Sequence, residues 1–366
     1  MVSPAARLPA DDGIDVDLGE NYYKGSRELE ERWTGEIIET IRRGLDKRYA
    51  DGRRPALRDA HAFDNGCIKA IFRIDTDLKP ELQHGLFIPG HEYQAWIRFS
   101  NGNSEQKSKF IPDARGMAIK LTGVPGDKLL GDEKNTHDII LISNPAFFVD
   151  DLERYKATLE AFLRGGLWDQ FVVALLKLRP REILRALRVN VLWISNPLFH
   201  QYWSMTPYRL GAKAPNRTAV KYTAKPRVGK RPPFLSRLLT YLGWGFSLKQ
   251  EMNDVLERTE VYFDFYVQRY IDSRTPIEDS KIVWSEDVSP PEHVAKIVIP
   301  SQNIMSRDQA LFCENLSFNP WNCLPEHKPL GLVNRVRRTV YRNISTYRHA
   351  LNRTPKTEPT GDETFV

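Results

Sequence analysis

Between residues 67 and 299 the chain carries six separate runs rich in β-branched and aromatic residues: 67–74, 93–99, 117–121, 218–222, 261–267 and 294–299. Each is too short for a stable helix and each reads as a strand. Most are separated by stretches with little helical periodicity, so parallel βαβ units are not expected. Many short strands in one chain leave the problem of exposed edges, which closure solves. The expectation is an α+β fold built round an antiparallel β-barrel, with helices on its outside.

The helical signal lies at the two ends and in two interruptions. Residues 26–49 place Leu29, Trp33, Ile37, Ile41 and Leu45 at helical spacing. Residues 152–194 read mainly as helix, divided at Pro180, with Leu, Val and Trp interspersed with Lys177, Arg179, Arg181, Arg185 and Arg188. Residues 234–246 are also apolar and aromatic. Both interruptions can pack on a barrel, or can form an interfacial helix that meets lipid or a fatty substrate. Residues 1–20 are polar and acidic and read as a flexible arm. The tail 354–366 is polar and Pro-containing and reads as disordered.

Composition narrows the function classes. With 41% hydrophobic and 27% charged residues, the 366-residue chain is of globular type. Its net charge of +6 is spread along the sequence, with no finger spacing and no basic block, so nucleic acid is not the expected partner. Cys67, Cys313 and Cys323 form no CxxC pair, and the odd count argues against a disulfide framework and for a reducing cytoplasm. The N-terminus lacks the apolar core of a secretory signal, and no apolar run is long and charge-free enough to span a bilayer. Peripheral membrane contact stays open.

Four clusters carry chemistry. Arg58 stands three residues before His61, and Gly66 follows. Imidazole suits a proton shuttle, because its charge changes near neutral pH. Trp96-Ile97-Arg98-Phe99-Ser100 is followed by Pro112-Asp113-Ala114-Arg115-Gly116-Met117-Ala118-Ile119-Lys120. Ser143-Asn144-Pro145-Ala146-Phe147-Phe148 comes next, and Tyr155 stands beyond it. Finally, Arg337 and Tyr341 are about one helical turn apart, with Arg348 and Asn352 beyond.

In this order and spacing the clusters resemble the haem catalase superfamily, in its smaller catalase-related branch, over about residues 56–352. Tyr262 to Asp279 with Trp284, and Asn315 to Gly331, add to the likeness. The resemblance implies a haem domain over 21–353, with a helical insertion at about 156–195, and haem b as cofactor. Tyr341 would be the axial ligand of the metal, as phenolate is in catalase. His61 would be the distal acid–base, with Ser100 hydrogen-bonded to it. Asn144 is the natural match for the distal amide, with Ser143 the other choice. Arg58, Arg98 and Arg348 would clamp the propionates, since guanidinium forks suit carboxylates, and Arg337 would support Tyr341. Tyr155 falls where catalases stack a phenylalanine on haem, though ordinary core packing accounts for it as well.

Two positions depart from the pattern. Arg342 follows Tyr341 where catalases generally carry proline. Ala60 precedes His61, where the related allene oxide synthases carry a threonine that restrains the histidine. The expected reaction is consumption of a peroxide, either hydrogen peroxide or an organic or lipid hydroperoxide. The alternatives are a fatty-acid hydroperoxide isomerase or lyase, and a non-catalytic haem- or lipid-binding barrel. Catalase relatives are usually oligomeric, so a homo-oligomer is an expectation too.

Overall fold

A computed structural model describes residues 13–102, 114–147, 149, 151–164, 196–212, 216–227 and 247–365. The side chains of Phe162 and Arg164 are not described.

Nine strands form one antiparallel sheet among the described residues: β1 (Asp64–Ile74), β2 (Glu92–Asn101), β3 (Arg115–Leu121), β4 (His137–Ile142), β5 (Tyr202–Trp203), β6 (Tyr208–Leu210), β7 (Thr218–Pro226), β8 (Val261–Arg269) and β9 (Glu292–Ile299). Their order is β5-β4-β3-β2-β1-β9-β8-β7-β6, and β5 also pairs with β7. That last pairing closes eight strands into a barrel, with β6 attached at one end of β7. The expected closed antiparallel barrel is therefore present.

Alternation sorts each strand's residues between inside and outside. Ile68, Ala70 and Phe72 of β1, Ile97 and Phe99 of β2, and Met117, Ile119 and Leu121 of β3 enter the barrel core. Phe263 and Phe265 of β8 and Ile297 and Ile299 of β9 join them. The intervening residues Arg98 and Ser100 of β2, and Gly116, Ala118 and Lys120 of β3, therefore face outward.

Five helices are described: α1 (Arg27–Arg48), α2 (Leu152–Arg164), α3 (Leu248–Leu256), α4 (Arg307–Asn315) and α5 (Leu332–Asn352). α1 begins where Ser26 Oγ accepts the Leu29 N–H at 3.1 Å, a local N-cap. Ile37, Ile38, Ile41 and Leu45 of α1 pack with Leu152 of α2 and Leu332, Val336 and Val340 of α5. This apolar helical layer is a second core beside the barrel. The remainder of the interruption after residue 164, and residues 234–246, lie outside the described residues. No helix among the described residues is long and apolar enough to cross a membrane.

One expectation is corrected here, and both terminal segments make defined contacts. Cys67 on β1 and Cys313 on α4 are joined as a disulfide across a sequence separation of 246 residues, so the odd cysteine count misled and the cysteine argument for a reducing cytoplasm falls. In the tail, Glu363 accepts the Trp96 indole N–H at 2.9 Å, and Phe365 packs on Trp96 and Phe312. Residues 1–12 of the N-terminal arm lie outside the described residues; beyond them, buried Asp15 pairs with Arg209 at 3.1 Å and buried Glu20 with Arg335 at 2.8 Å.

Candidate functional site

His61 stands just before β1 with φ at 56°, a left-handed conformation that side chains other than glycine rarely take. Its N–H donates to the Gly102 carbonyl at 3.3 Å, and its Nδ1 lies 3.1 Å from Ser100 Oγ on the outer face of β2. Gly116 on β3 is paired in register with Ser100. A Cβ at Gly116 would come within 2.6 Å of Ser100 Oγ and 2.9 Å of His61 Nδ1. The missing side chain at Gly116 is thus what admits the imidazole against the barrel wall. Burial, then the charges of Arg98, Arg337 and Arg115, lower the His61 pKa to about 4. The ring is therefore neutral near pH 7 and available as a base.

Arg337 and Tyr341 face the same space from α5. The Arg337 guanidinium carbon lies 5.1 Å from the Tyr341 ring centroid, and its Nη1 donates to Asn334 Oδ1 at 3.3 Å. Burial works against the Arg337 charge, but Tyr341 and Tyr208 more than offset it, and its pKa is raised. The helix start is pinned. Gly331 has φ at 83°, and a Cβ there would lie 2.7 Å from the Ile277 carbonyl oxygen. Glu20 accepts the Gly331 N–H and Glu278 the Leu332 N–H, at 2.7 and 2.8 Å. Both carboxylates, with Glu30, also bind Arg335 at 2.8 Å. Acidic groups at the positive end of the helix dipole favour this anchoring. Arg342 causes no break: α5 runs through it, and its guanidinium pairs with Asp132 at 2.7 Å.

Between the barrel wall and the helical layer lies a largely apolar cavity, in which about 310 Å³ is open to the centre of a water molecule. That is within the size of small-molecule sites. His61, Ser100, Arg58, Arg98, Tyr155, Arg337, Tyr341 and Arg348 all line it, as does Ala60. Tyr155 extends from α2, with its ring centroid 6.0 Å from that of Phe147, and burial raises its pKa. Asn144 does not line the cavity: its Oδ1 accepts the Ala146 N–H at 3.4 Å, a local turn contact. Ser143 does not line it either, and its Oγ accepts the Arg115 N–H at 2.9 Å.

Sequence reasoning missed Glu314. This residue of α4 pairs with Arg58 at 2.9 Å, Arg348 at 3.0 Å and Arg98 at 3.9 Å. Three guanidiniums thus share one carboxylate within 4.0 Å, and Asp64 acts on Arg98 from farther away. Arg58 adds the carbonyls of Cys313, Glu314 and Leu316. Burial, then the Arg58 charge, lower Arg98 to about 9 and Arg348 to about 10. Arg98 Nε is buried without a hydrogen-bond partner. A surplus of buried positive charge with an unfilled donor is costly unless an anion completes it. The donor set fits a flat apolar group that carries carboxylates at one edge.

No family model matches the sequence, and no curated protein matches it. Solved structures do resemble it. A fungal catalase superposes with a TM-score of 0.65 at 15% identity, covering 83% of this chain and 61% of that one. Catalase A from Saccharomyces cerevisiae gives 0.62 at 17% identity, covering 88% and 67%. A bacterial catalase gives 0.64 at 16% identity, covering 97% and 68%. The chain thus spans about three fifths of the length of the fungal enzyme, and its fold is the catalase fold.

Proposed function

We propose that the protein is a haem-dependent enzyme that consumes peroxide. The observation that carries this reading is a single cavity bounded by His61 and Ser100 on one side and Arg337 and Tyr341 on the other, with a guanidinium cluster at its edge. Tyr341 would ligate haem iron, and Arg58, Arg98 and Arg348 would hold the propionates. Haem, when bound, supplies the electrons that break the O–O bond.

His61 does the proton work. Ser100 Oγ engages Nδ1 and fixes the ring, leaving Nε2 to take a proton from one peroxide oxygen and return it to the other. The neutral ring at neutral pH suits the first half of that task. Arg337 balances negative charge at Tyr341. Ala60 beside His61 offers no hydroxyl to restrain the imidazole. The apolar walls exclude bulk water and favour an organic hydroperoxide as a second class of substrate beside hydrogen peroxide.

The test is reconstitution with haem and with its dimethyl ester, followed by absorption spectra and oxygen release from hydrogen peroxide. The expected result is a tyrosinate-type ferric spectrum, peroxide consumption, and an ester that binds about 10–100-fold more weakly, as loss of one or two charge-assisted hydrogen bonds implies. Failure to take up haem would refute the reading.

A further inference from the structure

Four lysines are buried among the described residues: Lys120, Lys128, Lys221 and Lys328. Three are well supplied with acceptors. Lys120 meets Glu133 and, at 2.7 Å, Asp138. Lys128 donates to the carbonyls of Val124, Gly126 and Lys134. Lys328 donates to Gly13 O at 2.6 Å and lies 3.8 Å from Asp15.

Lys221 differs. Its side chain extends from β7, only 4% exposed, and its Nζ has one hydrogen bond, to the Ile282 carbonyl at 3.2 Å. The Trp284 ring lies 5.0 Å from it. Among the described residues no carboxylate stands within 4.0 Å of Nζ. Asp279 and Glu286, the acidic groups nearby, pair with Lys281 at 3.8 Å and with Lys225 at 2.8 Å. Burial pushes the ammonium down to about 7, with Asp279 opposing. An ammonium has three donors, so two remain for a ligand.

Lys221 lines a pocket of about 170 Å³ with Pro145, Trp203, Met205 and Trp284 among others, and with Glu286, whose carboxylate is held by Lys225. Met205 also lines the main cavity, so one residue borders both spaces. Its backbone is held at φ 58°, while its unbranched thioether can take several rotamers, which suits a movable partition.

We propose that Lys221 is a carboxylate-binding subsite, and that the peroxide consumed in the main cavity is carried on an organic acid whose carboxylate docks there. The aliphatic part of the acid would pass Met205 into the apolar cavity. For the reacting end this inference rests on the function proposed above; the carboxylate site itself does not.

The test uses haem-free and haem-loaded protein with octanoate and octan-1-ol, which carry no peroxide, followed by titration calorimetry and tryptophan fluorescence. The wild-type chain should bind octanoate at least tenfold more tightly than octan-1-ol in both forms. Lys221→Met should reduce that preference to within twofold while keeping octan-1-ol binding. The substitution removes no carboxylate partner, and circular dichroism would verify the fold. A wild-type chain with no preference for octanoate overturns the proposal, whatever the variant does. So does a preference kept in Lys221→Met, because the acid would then be held by the arginine cluster. Absence of haem uptake would refute the enzymatic reading and leave the octanoate result standing.

Discussion

Gly116→Ala tests the geometry at its tightest point. The position needs no left-handed backbone, so alanine would ordinarily be neutral or stabilise by about 0.4–1 kcal/mol through the unfolded state. Here the added Cβ would lie 2.6 Å from Ser100 Oγ and 2.9 Å from His61 Nδ1, against an optimal carbon contact of about 3.5–4.0 Å. Something must move by about 1 Å. Ser100 can rotate away, but that breaks the 3.1 Å contact to His61 Nδ1 and leaves a buried ring nitrogen unpaired, at about 1–3 kcal/mol. If His61 moves instead, its left-handed backbone must relax. Either way the imidazole is displaced by about 1 Å, an error that costs on the order of 100-fold in rate. The assay is peroxide consumption by haem-reconstituted protein, alongside urea unfolding. The expected result is a net loss of about 1–2 kcal/mol, a rate fall of about 10–100-fold, and unchanged haem uptake, since Tyr341 is on the other side of the cavity. A rate within twofold of wild type would refute the reasoning that Gly116 sets the position of His61.

Other perturbations read other parts of the site. The His61 pKa is depressed to about 4, so its stability contribution is present above pH 6.5 and is lost as pH falls towards 4; a His61→Gln variant should lose less stability over that window in urea titrations. Peroxide consumption should persist down to about pH 4, and His61→Gln should lower it by about 10²–10⁴-fold. Tyr341→Phe should abolish the tyrosinate-type spectrum on haem addition, and a spectrum identical to wild type would remove Tyr341 as ligand. Glu314→Gln removes the carboxylate shared by three arginines and should destabilise the haem-free chain by about 3–5 kcal/mol; a dianionic metal-free porphyrin should restore part of that, as read by thermal unfolding.

What the sequence revealed follows from how each element encodes itself. Strands with clean alternation, such as β2 and β8, were legible to within a few residues. β4 was not, because Ile139 to Ile142 is a continuous apolar run without a period, and β5 and β6 are too short to carry one. The eight candidate residues that line the cavity carry their signal in fixed local spacings. Asn144 shows the limit of such matching, since one turn decides whether its amide enters the cavity. Glu314 and the Cys67–Cys313 bond depend on contacts between distant segments, which no local pattern records. The contacts of the tail are equally invisible to composition, because its polar residues find partners far away in sequence: Glu358 accepts the Asn135 N–H, and Glu363 accepts the Trp96 indole N–H.

The anchoring of α5 bears on the order of events during synthesis. Tyr341 and Arg348 lie on the last helix, while Arg58, His61 and Arg98 belong to the first third of the chain. A ribosome therefore completes all nine described strands before it delivers the α5 side of the cavity. Until then Arg58 and Arg98 have neither Arg348 nor, earlier still, Glu314 beside them. If haem binds as proposed, its capture would be a late event in the life of the nascent chain, and a chain halted before Leu332 would lack the α5 side of the cavity.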